Sequence, residues 1–561
     1  MIKSDSRFLF CDKPAGITTH TSHGGQTRHN PTTDPNDGFC EWLSDWIGTK
    51  LYTVHRLDRD TTGTLIFALN PESASELSEK FARREIHKKY LFLTDRDRPP
   101  STDTVTTVES KIEKRNGQWQ SIPSENVNSS TRFRWIEQTH GIHLWEAEPL
   151  TGKPHQIRLH AADLGLPILG DRDHGGSPFP ALCLHSRSIS FTDSNGKVIQ
   201  FESSPPYWFI NKLSIEDQTF CRWLAGIDRR QRVLNTLERV VSADKKSEVP
   251  VTRKNSDLLL RWLHTEADPL RVDQLGEVIS MSWFEQTPND QDWDRIHRLV
   301  QCQQWNQWYL QVRGNRGKTP NQETVYRSTT LDIARWTAEE DGISYEFRTD
   351  SGLSPGLFLD QKVNRKWVRQ QSQGKDVLNL FCYTGGFSVN AAVGGAKKIV
   401  SVDTSRNFLE WTKRNFELNH LPVDTHDFRA MDCLEYLAWA KKKNLKFDLV
   451  VCDPPSFGRS KNRTFKLEKD FSHLFKALLS VLNKDGIILF STNFEKWNQE
   501  DLYQNSKKAL FDWKDQHQNK TNALREEISF EFHSCPSPFL DFELPNLDHN
   551  LKSLLLKAKP N

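Results

Sequence analysis

The chain has 561 residues, which is too long for a single hydrophobic core and predicts two to four domains. Charged residues make up 26% of the chain, and no apolar run approaches the ~20 residues of a membrane-spanning helix, which argues against a helical membrane protein and a membrane partner. The formal net charge of +2 does not mark a general polyanion binder, so any nucleic-acid site must be local.

Nine scattered cysteines without a C-x-x-C pair favour reduced thiols over disulfides or a zinc site. The first residues contain no apolar stretch long enough for a secretory signal. We therefore expect a cytoplasmic protein with no bound metal.

Residues 51–210 contain short alternating apolar runs, such as "GTLIFAL" and "HLWEAEPL", with a helical stretch, "SASELSEKFARREI", between them. This pattern predicts an α+β domain with a mixed, mostly antiparallel sheet, which we place at residues 1–212.

Within that domain, "VHRLDRDTTG" (54–63) sets Asp58 between Arg56 and Arg59, just before a turn. One interpretation is a charged strand end that enters a turn, since Thr and Gly are ordinary turn residues. The other is a nucleophilic carboxylate that its cationic neighbours keep ionised.

Three further stretches favour the second interpretation: "CDKPAGITTH" (11–20), "KKYLFL" (88–93) and "TGKPHQIRLHAADLGLPILGD" (151–171). Together with "HRLDRDTTG" they resemble the RluA family of pseudouridine synthases, over residues 7 to 206. The resemblance implies that Asp58 is the nucleophile, that Tyr90 lies against the target base and that Arg158 pairs with Asp58. It also implies that this half needs no cofactor.

A helical linker is expected at 213–257, followed by a small α+β domain at 258–345 that is a possible RNA-docking unit. The tryptophans of this region could stack on bases, but packing is their expected role.

From about residue 375 strands alternate with helices, as in "KDVLNLF", "GGFSVNAAVGG" and "KKIVSVD". This alternation predicts a doubly wound, Rossmann-like α/β domain, which we place at 346–561. Ligands of such sheets bind outside the carboxyl ends of the strands.

Unusual residues follow the predicted strands of this domain. Gly385 and Gly386 follow the first strand, Asp403 ends the second, and Asp432 and Asp453 follow later ones. A G-x-G-x-x-G fingerprint and a Walker A lysine are both absent, which argues against a dinucleotide or a P-loop site.

The stretches "GLFLDQKVNR" (356–365), "VLNLFCYTGGFSVNAA" (377–392), "SVD" (401–403) and "DPPSFGRSK" (453–461) resemble the RlmI/RlmK group of class I methyltransferases of 23S ribosomal RNA. The resemblance implies S-adenosylmethionine as cofactor, with Asp403 at its ribose and Asp432 near its adenine. It implies that the methionine part lies on the loop formed by Asn379, Phe381, Tyr383, Thr384, Gly385 and Gly386. The acceptor atom would meet the methyl group at Asp453, Pro454 and Pro455.

Methylation of cytosine C5 usually requires a cysteine adduct at C6. The strand "GIILFSTNF" (486–494) has no cysteine, and Cys452 is expected to be a buried, inert strand residue. The end of this strand, "STNF" (491–494), also resembles the branch of these methyltransferases that acts on a guanine ring nitrogen, and this resemblance implies a purine nitrogen rather than C5 as acceptor. The basic loop with Arg459, Lys461 and Arg463 is the local candidate for phosphate contact.

The sequence thus predicts a bifunctional enzyme that isomerises a uridine and methylates a base, both on 23S ribosomal RNA. One alternative is a pseudouridine synthase fused to a methyltransferase of protein amides. Another is an RNA-binding ribosome-assembly factor with only one active half. The sequence leaves the oligomeric state open.

Overall fold

The computed structural model describes residues 7–20, 38–97, 105–210, 217–243, 259–263, 269–313, 325–328, 331, 334–349, 354–459, 464–518, 529–534 and 551–559. No helix within these ranges is long and apolar enough to cross a membrane.

Ten strands of the described N-terminal residues form one sheet. They are β1 (Phe8–Lys13), β2 (Tyr52–Thr53), β3 (Thr62–Ala68), β4 (His87–Thr94), β5 (Val105–Arg115), β6 (Gln118–Ile122), β7 (Ser129–Thr139), β8 (Ile142–Pro149), β9 (Leu184–Thr192) and β10 (Val198–Glu202). Their helices are α1 (Phe39–Ile47), α2 (Pro71–Ala82), α3 (Gln156–Asp163) and α4 (Tyr207–Ile210).

The strand order is β1-β3-β9-β4-β8-β7-β5-β6, with β10 beside β9 and β2 beside β3. Only the β3–β9 pair is parallel among these pairings, so the mixed, mostly antiparallel sheet is confirmed. Every residue of β3 is buried, which fits its uninterrupted apolar run. Asn70, which follows β3, is the N-cap of α2, since its side chain accepts a hydrogen bond from Ser73 N.

A long helix, α5 (Gln218–Ala243), follows this sheet and lies against β1. Its apolar residues Phe220, Trp223, Leu224 and Ile227 belong to a hydrophobic core that also includes the central sheet described next. The N-terminal and central units are therefore packed on a continuous core.

The central sheet consists, in order, of β11 (Leu259–Leu263), β12 (Leu270–Leu275), β13 (Val278–Trp283), β14 (Gln307–Val312) and β15 (Val325–Arg327). Helix α6 (Asp290–Cys302) connects β13 to β14, which are parallel, whereas the other pairs are antiparallel. Trp262 and Trp283 are buried, and Trp293, Trp305 and Trp308 pack against the core, so the expected packing role of the tryptophans is confirmed.

A hairpin of β16 (Arg335–Glu340) and β17 (Ile343–Arg348) follows and packs on the C-terminal unit. Asn390 Nδ2 donates a 2.7 Å hydrogen bond to Tyr345 Oη, and Trp411 Nε1 donates to the Glu346 carbonyl at 3.2 Å. The boundary expected between residues 345 and 346 lies inside β17, and we propose that the C-terminal unit begins at β16 instead.

The C-terminal strands are β18 (Asp376–Leu380), β19 (Lys398–Asp403), β20 (Asp427–Ala430), β21 (Phe447–Cys452), β22 (Phe457–Arg459), β23 (Thr464–Lys466), β24 (Leu482–Thr492), β25 (Ser529–Ser534) and β26 (Lys552–Lys559). The helices are α7 (Lys362–Gln371), α8 (Gly386–Val393), α9 (Arg406–Leu418), α10 (Cys433–Lys442), α11 (Leu467–Val481) and α12 (Gln499–Gln518), and a 3-10 turn spans Leu359–Gln361.

The main sheet of this unit has the order β20-β19-β18-β21-β24-β26-β25. The first five strands in this order are parallel to one another, and β26 and β25 then add to the sheet in antiparallel pairing. The predicted doubly wound α/β unit is confirmed. The connections reverse direction beside β18, which places the ligand crevice at the carboxyl end of that strand.

Candidate active sites

Hydrogen bonds from the end of β1 hold the loop that carries Asp58. Lys13, fully buried, donates from Nζ to the carbonyls of Pro14, Arg59 and Thr61 at 2.9, 2.8 and 3.0 Å. Burial lowers the pKa of Lys13 to about 7, against the opposing effect of the nearby aspartates. Thr19 also binds this loop, because its hydroxyl donates to the Leu57 carbonyl and accepts from Leu57 N. These bonds fix the backbone on both sides of Asp58.

Asp58 lines a cleft of about 830 Å³ together with Tyr90 and Arg158. The structure thus brings together the three catalytic residues that the resemblance implied for this half. Tyr90 lies in β4 and is 8% exposed. Burial raises the pKa of Tyr90 to about 12, and the charge of Asp58 adds to the rise. Tyr90 is therefore a neutral phenol at physiological pH.

Arg158 forms its tightest ion pair with Asp171, a residue that we did not single out from the sequence. Its Nε and Nη2 donate to the two oxygens of Asp171 at 2.8 and 2.6 Å, and Nη2 also donates to Asp173 at 2.9 Å. Nη1 lies 3.7 Å from Asp58 Oδ2, a looser contact. The implied pairing of Arg158 with Asp58 is therefore present but secondary, because Asp171 fixes the guanidinium in a bidentate geometry.

The histidines of the N-terminal motifs make hydrogen bonds within the fold. His55 Nε2 accepts from Ile66 N at 3.1 Å, and burial lowers the pKa of His55 to about 3. His160 contacts the hydroxyls of Ser110, Ser129 and Thr131. Among the described residues, no group of three or more His, Cys, Asp or Glu side chains is arranged to hold a metal ion.

In the C-terminal unit, Gly385 and Gly386 lie at the start of α8, where β18 ends. Gly385 has φ 79°, and a Cβ there would lie 2.2 Å from Cγ2 of Thr412. A Cβ on Gly386 would lie 2.7 Å from Leu357. Only glycine leaves room here, and the bare amides at the helix N-terminus can approach a ligand closely.

The rest of the loop is held by hydrogen bonds. Asn379 Nδ2 donates to Ser388 Oγ at 2.8 Å, and Phe381 N donates to the Cys433 thiol. Tyr383 Oη donates to the Ser354 carbonyl at 2.7 Å, and the Thr384 hydroxyl donates to the Gly356 carbonyl. Phe381 and Tyr383 both have positive φ, which turns the loop sharply at the strand end.

Asp403 ends β19 and accepts hydrogen bonds from Tyr383 N at 3.1 Å and Ser405 N at 2.9 Å. Burial raises the pKa of Asp403, and these backbone bonds oppose the rise. Each oxygen keeps a further lone pair, which suits a ribose hydroxyl.

Asp432 is the N-cap of α10, since its Oδ1 accepts from the amides of Leu434 and Glu435. The sequence contains the usual signal for such a cap, since Asp432 is followed three residues later by Glu435 in "DCLE".

Asp453 follows β21, and its Oδ1 accepts a 2.9 Å hydrogen bond from Ser491 Oγ. Gln361 Nε2 donates to the same Ser491 hydroxyl at 3.0 Å and also bonds Asp453. Burial raises the pKa of Asp453 to about 7, and the nearby charge of Asp360 contributes. Gln361 and Ser491 lie in the stretches "GLFLDQKVNR" and "GIILFSTNF", but nothing in the residue pattern of these stretches indicates that the two side chains contact Asp453.

Pro454 is buried and Pro455 is exposed directly after Asp453. Cys452 is fully buried, and burial raises its pKa well above the usual thiol range, so the expectation of an inert strand cysteine is confirmed. In the basic loop, Lys461 and Arg463 lie outside the described residues, and Arg459 ends β22.

Two family models match the chain in agreement with these two sites. Residues 7–163 match the RNA pseudouridylate synthase family, and residues 307–508 match the S-adenosylmethionine-dependent methyltransferases. The chain therefore carries an RNA pseudouridylate synthase domain followed by an S-adenosylmethionine-dependent methyltransferase domain.

Curated relatives match part of the chain. The putative ribosomal RNA large subunit methyltransferase YwbD of Bacillus subtilis is 37% identical over 222 residues, or 39% of this chain and 54% of that protein. Ribosomal RNA large subunit methyltransferase K of Neisseria meningitidis is 41% identical over 194 residues, or 34% of this chain and 55% of that protein. The chain thus spans about half the length of these two relatives.

Solved structures are also similar to parts of the chain. A putative methyltransferase, SMU.776, complexed with SAH is 24% identical, with a TM-score of 0.46 over 66% of this chain and 87% of that one. Human RNA Pseudouridylate Synthase Domain Containing 4 is 23% identical, with a TM-score of 0.30 over 38% of this chain and 91% of that one.

Proposed function

We propose that this chain is a bifunctional RNA-modifying enzyme that acts on 23S ribosomal RNA in the cytoplasm. The N-terminal half isomerises a uridine to pseudouridine, and the C-terminal half methylates a base. The observation that carries the proposal is the grouping of residues that the two resemblances implied: Asp58, Tyr90 and Arg158 line one cleft, and Gly385, Asp403 and Asp453 lie at the ends of three neighbouring strands. The names of the relatives support ribosomal RNA of the large subunit as substrate.

The isomerisation breaks the N1–C1′ bond of uridine and forms a C5–C1′ bond, so that C5 loses a proton and N1 gains one. A carboxylate can start this reaction by attack on the nucleotide or by removal of a proton from the sugar, and either role requires Asp58 to be ionised. Arg158, which Asp171 holds in place, presents a cation 3.7 Å from Asp58 and stabilises this charge. The target uridine must leave its stack to reach the cleft.

We assign Tyr90 to the base that enters this cleft. Its buried ring offers an apolar surface for the uracil, and its raised pKa keeps the hydroxyl protonated. A neutral phenol can relay the proton that C5 loses if it passes its own hydroxyl proton on as it accepts this one, so that no second charge forms beside Asp58.

For the methyl transfer, the residues fit S-adenosylmethionine. The bare backbone at Gly385 and Gly386 would hold the methionine part, Asp403 the ribose and Asp432 the adenine side. When bound, this cofactor supplies an activated methyl group, so that the protein mainly positions the acceptor and excludes water.

We favour a purine nitrogen over cytosine C5 as the acceptor. A C5 acceptor needs a thiolate, and burial raises the pKa of Cys382, Cys433 and Cys452 well above the usual range. Asp453, with its pKa near 7, can instead hold a hydrogen bond from a base N–H in either protonation state.

The proposal is tested with the full chain, 23S ribosomal RNA and S-adenosylmethionine, followed by mass spectrometry of the RNA. We expect Asp58→Asn to abolish pseudouridine formation and to leave methylation unchanged. Asp60→Asn, an exposed change two residues along the same loop, serves as the matched control. Asp403→Ala should weaken S-adenosylmethionine binding in calorimetry. Pseudouridine formation by Asp58→Asn, or wild-type binding by Asp403→Ala, would contradict the respective assignment.

A further inference from the structure

A half-buried lysine lines the cleft of Asp58 and has no role in the isomerisation described above. Lys88 lies in β4, two residues before Tyr90, and both side chains line this cleft. Successive side chains of a strand point to opposite faces, so Lys88 and Tyr90 share one face and lie roughly 7 Å apart along the strand. Lys89 lies on the other face, where its ammonium is 3.4 Å from a carboxylate oxygen of Glu146.

The ammonium of Lys88 lies beside aromatic rings. Its Nζ is 5.9 Å from the centroid of the Phe81 ring, and the His55 ring stacks on the same phenylalanine at 5.0 Å. Within the part of the chain that the structure describes, this ammonium forms no hydrogen bond and no ion pair with a carboxylate. Burial lowers the pKa of Lys88 to about 8, so the group still carries its charge at neutral pH.

A cation in these surroundings lowers the stability of the fold. A desolvated charge is normally paired with an opposite charge, and a contact with an aromatic ring offsets only part of the cost of burial. A lysine with a purely structural role usually extends its ammonium to the solvent or to a carboxylate, as Lys89 does. The position of Lys88 is therefore better explained by an anion that enters the cleft.

The other charges of the cleft also favour an anion. The net charge of the whole chain is only +2, yet six arginines and lysines line the cleft against two carboxylates, Asp58 and Glu148. The six cations are Arg56, Arg84, Lys88, Arg132, Lys153 and Arg158. The uracil and the ribose of a uridine are neutral, so the negative charge that such a substrate brings is that of its backbone phosphates.

We propose that Lys88 binds a backbone phosphate of the uridine that enters the cleft, while Tyr90 lies against the base of the same nucleotide. The inference rests on the proposed isomerisation and adds which side chain holds the backbone of the target. The spacing of Lys88 and Tyr90 along β4 is comparable to the span from a base to its own phosphate. An ammonium forms charge-assisted hydrogen bonds to phosphate oxygens, and such contacts position a strand without reading its sequence.

The test is the salt dependence of 23S ribosomal RNA binding by the full chain, in an Asp58→Asn background that leaves the RNA unconverted. Losing one phosphate contact lowers the slope of log K against log salt by about 0.7 to 0.9. We expect this decrease and weaker binding for Lys88→Met, which keeps the length of the side chain without its charge. Lys88→Arg, which keeps the charge, should retain the slope. Lys89→Met, on the other face of β4, is the matched control and should also retain it.

Thermal unfolding separates a role in binding from a role in the fold. Lys88→Met removes a desolvated charge, so we expect its Tm to equal or exceed that of the parent chain. An unchanged slope for Lys88→Met would overturn the phosphate contact, and a lowered Tm beside it would assign Lys88 to the fold. A slope lowered equally in Lys88→Arg would overturn it too. The expected slopes, together with a wild-type chain that forms no pseudouridine in this RNA, would support the phosphate contact and refute the proposed isomerisation.

Discussion

Arg232 of α5 is expected to hold the strand that supports the pseudouridine synthase loop. Its Nη1 donates to Asp12 Oδ1 at 2.6 Å, and its Nε and Nη2 bind Asp228. The side chains of Arg232 and Asp12 are only 3% and 1% exposed. Asp12 directly precedes Lys13, so α5 is linked through β1 to the loop of Asp58.

Arg232→Ala would leave two carboxylates in the interior without their cation. Breaking a buried ion pair from one side costs about 3–5 kcal/mol, because the remaining charge stays desolvated. We expect a loss of this size in the free energy of unfolding, measured by urea denaturation with tryptophan fluorescence. We also expect pseudouridine formation to fall more than methylation, because the perturbed strand carries Lys13.

Arg83→Ala is the matched control, since Arg83 forms an exposed ion pair with Glu79 on α2. Such pairs contribute about 0.5 kcal/mol or less. If Arg232→Ala lost no more stability than Arg83→Ala, the buried pair would not support the fold as described. Equal losses of the two activities would refute the specific link to the Asp58 loop.

Two further predictions concern the methyltransferase unit. Gly385→Ala should weaken S-adenosylmethionine binding in calorimetry, because the new Cβ would lie 2.2 Å from Thr412. Gly374→Ala is the control and should bind normally, since Gly374 has a similar positive φ and no atom within 4 Å of the new Cβ. Equal affinities of the two variants would refute the close approach at Gly385. The pKa of Asp453 is raised from 3.8 to about 7, so between these pH values the folded chain retains a proton that the unfolded chain releases. The contribution of Asp453 to the free energy of unfolding therefore falls as the pH rises from about 4 to 7, by at most about 1.4 kcal/mol per pH unit. Urea denaturation across this range should show the slope in the wild type and a flatter one in Asp453→Asn, and identical slopes would contradict the buried carboxyl.

Much of the fold follows from local patterns. Strands that alternate with helices predicted the doubly wound unit, because β18, β19 and β21 are apolar runs between helices with clear ends. The family resemblance of the N-terminal motifs implied that Asp58 and Tyr90 share one site, and both line the same cleft. These features depend on short stretches of sequence, which can be interpreted without knowing the contacts between distant segments.

Other features depend on contacts between distant segments. Asp171 was not distinguishable from other turn aspartates until α3 brought Arg158 to it. Arg271 and Arg313, which both donate to Ser282 Oγ, likewise meet only through the pairing of β12, β13 and β14. Strand register, which single-sequence patterns fix poorly, decides this contact.

The most direct measurement is a mass-spectrometric map of 23S ribosomal RNA from cells that lack this gene, complemented with the wild type or with Asp58→Asn. The account predicts that the deletion removes one pseudouridine and one base methylation, that the wild type restores both, and that Asp58→Asn restores only the methylation. An RNA that keeps both modifications in the deletion strain would contradict the assignment of two activities to this chain.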